Sequence, residues 1–97
     1  MFASFLGWTP LMLAAENGHY NFCRWLLQKG ANVNATMVTG WTAAHAATKK
    51  GEFSTLELLL QNGASTSLQA SHRDFGRNLK LRDLTNDDKL TDLINQY

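Results

Sequence analysis

The residues of this chain whose types could do chemistry are three histidines, one cysteine, and a lysine pair that follows a tryptophan. His19, His45 and His72 have no Cys or carboxylate at the spacing a metal site uses, so no metal is expected. No Ser or Cys has a His and an acid placed to activate it, and no glycine-rich phosphate loop occurs. An enzyme is therefore not expected, nor a cofactor. Cys23 stands alone and cannot form an internal disulfide, which agrees with a reducing compartment and reads as a buried packing residue.

What remains is binding chemistry. Lys49 and Lys50 beside Trp41 could stack and neutralise a nucleotide or single-stranded RNA, since stacking a base on an aromatic ring contributes ~1–3 kcal/mol. Two lysines are a thin electrostatic footprint, so nucleic acid is the second reading. The first is an apolar, aromatic stripe made of Phe5, Leu6 and Trp8 in one stretch and Met37, Val38 and Trp41 in the next. Aromatic side chains bury large area at low entropic cost and are enriched where proteins meet. The competing reading is that both tryptophans pack down on their own loops.

These residues are positioned by a repeat. Gly7-Trp8-Thr9-Pro10-Leu11-Met12-Leu13-Ala14 returns as Gly40-Trp41-Thr42-Ala43-Ala44-His45-Ala46-Ala47, a shift of 33 residues. The same shift pairs Gly18 with Gly51, Leu26-Leu27-Gln28 with Leu59-Leu60-Gln61, and Gly30-Ala31 with Gly63-Ala64. A fixed period in this range marks stacked supersecondary units, none of which can bury its apolar face alone.

With 97 residues the chain is one domain and buries only about 60–65 % of its unfolded surface. An apolar fraction of 44 %, a charged fraction of 18 % and a net charge of +1 are those of a folded soluble protein, with no general pull toward nucleic acid or membrane. No apolar run approaches the ~18 residues of a bilayer span, and Met1–Leu6 lacks the form of a signal peptide, so an intracellular protein, cytoplasmic or nuclear, is expected.

In each clear unit a helix opens at Thr9-Pro10 or Thr42, stops at a glycine turn, and a second helix runs to Gly30 or Gly63. Residues 31–40 are too long for a tight turn and should project as a loop or hairpin. The third unit is degenerate. Leu81 and Leu84 are the apolar contacts of a short first helix, and Asn86-Asp87-Asp88 caps a second over 89–96. Its mixed-sign surface, with Arg77, Lys80, Arg82, Asp83, Lys89 and Asp92, suits the outer face of a terminal repeat.

The run Gly7-Trp8-Thr9-Pro10-Leu11-Met12-Leu13-Ala14-Ala15-Glu16-Asn17-Gly18-His19, closed by Leu26-Leu27-Gln28-Lys29-Gly30-Ala31-Asn32-Val33-Asn34-Ala35, resembles an ankyrin repeat. The resemblance covers residues 7–68 in two copies and extends more weakly to 97. It implies an all-α stack of helix-turn-helix units with projecting fingers: repeats at about 7–39 and 40–72 and a degenerate cap over 73–97. It also implies a non-enzymatic module that binds another protein through its fingers and inner helices. The positions free to vary there include Glu16, Thr39, Trp41, Lys49 and Lys50 as well as the aromatic stripe.

The resemblance further makes His45 a structural histidine bonded to finger backbone. Met12 stands where the first copy would carry the equivalent histidine, so that bond is lost. Ala43-Ala44 replaces a Pro-Leu pair and removes an apolar anchor that Trp41 or Phe53 would have to refill. Met37 replaces an aspartate that normally fixes the finger. Leu26, Val33, Asn34 and Ala35 together are similar to the sequence in which ankyrin fingers are hydroxylated by an oxygen-dependent dioxygenase, which makes Asn34 a modification candidate. At the amino end, Phe2, Phe5 and Leu6 either cover the open end of the stack, pair with a second copy, or meet upstream repeats.

Overall fold

Thr9 and Pro10 begin the first helix as their chemistry dictates. The Thr9 hydroxyl accepts from the Met12 N–H at 3.2 Å, and the proline occupies the first turn, where its missing N–H has no partner to lose. Helix α1 (Pro10–Glu16) stops at Gly18, and α2 (Tyr20–Gln28) runs antiparallel behind it. The second unit repeats both one period later, as α3 (Ala43–Lys49) and α4 (Phe53–Gln61). The computed structural model describes residues 7–72 and 75–97.

The inner helices approach closely because their facing residues are small. Ala14 and Ala15 of α1 and Ala43, Ala44 and Ala47 of α3 are all buried in one cluster with Leu11, Met12 and Cys23. The outer helix α4 supplies the large side chains, with Leu56 and Leu59 fully buried. The lost anchor at Ala43-Ala44 is not refilled by Phe53, which is 40 % exposed. Leu81 is fully buried in the same cluster as those alanines.

The third unit departs from the all-helical expectation. Strands β1 (Ala70–His72) and β2 (Gly76–Leu79) form an antiparallel hairpin with Ala70 opposite Leu79 and His72 opposite Gly76. The expected short first helix is a 3-10 helix, Leu81–Leu84, whose two leucines are buried. Helix α5 (Asp88–Asn95) follows, and Asp87 caps it by accepting from the Lys89 N–H at 2.8 Å. Arg77, Arg82, Asp83, Lys89 and Asp92 are exposed, leaving a polar terminal surface.

Consecutive units are also tied through their loops. The Asn34 amide nitrogen donates to the Gly63 carbonyl at 3.0 Å, and its oxygen accepts from the Ser65 N–H at 2.8 Å. This asparagine, singled out as a modification candidate, joins one loop to its copy a repeat later. The first finger closes on itself, the Met37 N–H donating to the Trp41 carbonyl and the Gly40 N–H to the Met37 carbonyl, both at 2.9 Å. Backbone thus fixes this finger in place of the aspartate side chain that Met37 replaces. It then joins the hairpin, the Ser71 N–H donating to the Thr39 carbonyl at 2.9 Å.

A candidate partner-binding cleft

The joined fingers and the ends of the inner helices enclose a cleft of about 270 Å³. It is lined by Trp8, Met37, Thr39 and Trp41 from the first finger region, Ser71 and His72 from β1, and Glu16 and Lys49 from the inner helices. Glu16 ends α1 and Lys49 ends α3, one repeat apart, so opposite charges occupy equivalent positions on one rim. Lysine at a helix C-terminus is favoured by the helix dipole, whereas glutamate there is disfavoured by about 0.3–1 kcal/mol.

Six of the residues singled out from sequence, Trp8, Glu16, Met37, Thr39, Trp41 and Lys49, therefore meet in one place. Val38 is 83 % exposed at the finger turn and does not line the cleft, and exposed Lys50 caps the end of α3 outside it. Phe5 and Leu6, together with Phe2, lie outside the described residues. Sequence reasoning did not place Ser71 and His72 in the site because they ride on a short strand with no β-branched residue, where the second repeat gives way to the cap.

Trp41 corrects the open-stripe expectation. It is 5 % exposed and forms a second buried cluster with Ala46, Ala70, Leu79 and Leu84, so it lines the cleft as a wall while also anchoring the hairpin. Its ring lies 5.2 Å from that of His45 and 5.0 Å from that of His72, which in turn lies 5.1 Å from Phe75. A ring held in this way does not offer the free face that base stacking on Trp41 requires. Trp8 is half-buried and packs against both clusters.

His45 locks this wall in place. Its Nε2 lies 3.0 Å from the Leu79 carbonyl, an acceptor only, so Nε2 carries the proton and donates. Nδ1 is then free to accept, and it takes the Thr42 N–H at 3.3 Å with the Thr42 hydroxyl 2.7 Å away. The Thr42 hydroxyl in turn accepts from the His45 N–H, closing a reciprocal cap on α3. One neutral imidazole thereby joins the start of α3 to the hairpin of the next unit. Its first-copy counterpart, Met12, is fully buried among apolar residues instead.

Burial pushes the His45 pKa below the ordinary 6.5, and hydrogen bonding to the Leu79 and Leu68 carbonyls only partly offsets this. An unfolded chain takes up the proton near the ordinary value while the folded chain resists it. The stability this position contributes is complete above about pH 6.5 and is lost as pH falls from there through the lowered native value. Melting temperature is expected to drop between pH 7.5 and 5, and the drop to be smaller in His45→Gln, which is less stable at the upper pH. Equal slopes in the two proteins would contradict this. Cys23 is likewise buried and inert, its thiol pushed up to about 11 by desolvation.

Among the described residues no group of three or more His, Cys, Asp or Glu is placed to hold a metal ion, and no helix is long and apolar enough to cross a membrane. Residues 3–70 match the family described as Ankyrin repeats (3 copies). No curated protein matches the chain.

Proposed function

The chain belongs to the ankyrin repeat family, and from that premise we propose that it holds a protein partner by one large apolar side chain seated in the cleft between Trp8, Met37 and Trp41. Ankyrin repeats are in general protein-interaction modules and typically non-enzymatic. The observation that carries the specific reading is the cleft itself. Trp8, Met37 and Trp41 give its volume of about 270 Å³ apolar walls that suit a side chain presented by an extended segment. Glu16 and Lys49 on the rim then favour a basic residue on one side of that anchor and an acidic residue on the other. The unfavourable position of Glu16 at its helix end is consistent with a carboxylate kept for a partner and not for α1.

A peptide library displayed on phage and selected on the immobilised chain tests this. Enriched peptides are expected to share an aromatic or long aliphatic residue flanked by charge. Their binding should fall at least tenfold with Met37→Asp and shift toward basic partners with Lys49→Glu, while circular dichroism stays unchanged. Peptides bound equally by the wild type and both variants would place binding elsewhere. Binding of single-stranded RNA that Met37→Asp spares, that Lys49→Glu abolishes and that falls steeply with added salt would instead support the nucleic-acid reading through Lys49 and Lys50.

A further inference from the structure

The cleft does not end at β1. A second hollow of about 340 Å³ adjoins it, lined by Thr39, Ser71, His72, Gly76 and Arg77, so Thr39, Ser71 and His72 are a wall common to both. That wall is fixed from behind. The Ser71 N–H bond to the Thr39 carbonyl holds the first finger against β1, and the His72 ring is held by those of Trp41 and Phe75. Gly76, opposite His72 in the hairpin, brings no side chain, and a Cβ built on it would meet nothing within 4 Å. The space beside Arg77 is therefore open, and Arg77 itself is exposed.

The two lobes differ in chemistry. Trp8, Met37 and Trp41 make the first apolar, whereas the described residues of the second bring two hydroxyls, an imidazole and a guanidinium but no carboxylate. Asp83, on the 3-10 helix that follows, gives its carboxylate to the Lys80 N–H at 2.9 Å and does not line the hollow. Arg73 and Asp74 lie outside the described residues and carry opposite formal charges. We propose, resting on the reading of the first lobe as the seat of a partner's apolar side chain, that the same partner segment places an aspartate or glutamate in the second lobe. Its carboxylate is held by Arg77, with the Thr39 and Ser71 hydroxyls as further donors. A guanidinium is always charged, and its paired N–H groups match the two oxygens of a carboxylate. One positive charge balances one carboxylate, whereas a phosphate dianion would keep a charge uncompensated. Side chains on one face of an extended segment recur at every second residue, about 6.5–7 Å apart, so the acid stands two residues from the apolar anchor. Glu16 and Lys49 line only the first lobe, so this acid is distinct from the one that Lys49 favours.

Selecting the displayed peptide library in parallel on the wild type, Arg77→Gln and Arg77→Glu tests the proposal. The wild type is expected to enrich an acidic residue two positions from the apolar anchor. Arg77→Gln should lose that enrichment while keeping the anchor, and Arg77→Glu should replace the acid with lysine or arginine, with circular dichroism unchanged in both. For the tightest wild-type peptide, changing this acid to its amide should raise the dissociation constant about threefold in about 0.05 M sodium chloride and by less in about 0.5 M. The same change should make no difference to binding by Arg77→Gln. An acid enriched equally on all three proteins, or an amide peptide bound as tightly as its acid by the wild type, overturns the proposal. So does a phosphoserine peptide that binds where the carboxylate peptide does not. Peptides that share the anchor without the acid overturn this proposal alone, whereas peptides with no common anchor overturn the reading of the first lobe and this proposal with it.

Discussion

Replacing Gly40 with alanine is expected to lower stability more than the same change at any other glycine of the fold and to open the cleft. Gly40 sits at φ +86°, and a Cβ built there would lie 2.6 Å from the backbone oxygen of Gln69 and 3.4 Å from the Ala70 Cα. Positive φ alone costs a non-glycine residue about 1–2 kcal/mol. The collision is added to that, and backbone cannot rotate aside as a side-chain end can. Relief requires the first finger and β1 to separate, which stretches the bond from Ser71 N–H to the Thr39 carbonyl and moves Trp41 away from His72.

The comparison that isolates the collision is Gly63→Ala, at φ +91° with nothing within 4 Å of the added carbon. Urea unfolding of the two variants is expected to show Gly40→Ala losing at least about 1 kcal/mol more than Gly63→Ala, within the range expected for forced backbone strain. Equal losses would mean that the fingers are not in contact as described. Gly7, the counterpart of Gly40 at φ +86°, would place its Cβ 3.2 Å from the Met37 Cα, so each finger is seated against the next by the same device.

The helices of the two clear units were legible because the repetition, the threonine caps of the inner helices and the glycine stops agreed. Thr9 and Thr42 cap where a hydroxyl should, Asn17-Gly18 and Gly51 stop the inner helices, and the outer helices end at Gly30 and Gly63. The third unit was not legible to the same degree because its elements are short and held from outside. Leu81 and Leu84 read as helical contacts, but four residues make only a 3-10 turn, fixed by the burial of both leucines. The hairpin has no strand pattern of its own, and its pairing is held through the Leu79 carbonyl by His45, a contact 34 residues apart in sequence. The cleft was half legible for the same reason. Trp8, Met37, Trp41 and Lys49 announced themselves by type and period, whereas Ser71 and His72 enter only through the hairpin. Whether Trp41 would face outward or pack down was undecidable from its spacing, since both placements share one period. The alanine at 46 and the leucines at 79 and 84 decide it by leaving room that the indole fills.

Leu59→Ala is expected to have the largest effect on stability. Leu59 is fully buried on α4, the helix that packs against α2, α3 and α5 and so touches all three units. Truncating a buried leucine costs about 2–5 kcal/mol, the upper values applying where neighbours cannot collapse into the space. Collapse is restricted here because α4 is held from three sides and its surroundings include the already small Ala43, Ala44 and Ala47. A chain of this length has about 5–15 kcal/mol of stability in all, so a loss of this size is a large share of it. The urea midpoint should fall by roughly 1–2 M. In a stack whose units are each too small to fold alone, the loss at a shared helix acts on every interface, so unfolding is expected to remain a single transition at the lower midpoint. Phe53→Ala, at the start of the same helix but 40 % exposed, is the control and should cost less than half as much. A Leu59→Ala midpoint close to that of Phe53→Ala would mean that α4 is not the helix through which the three units are joined.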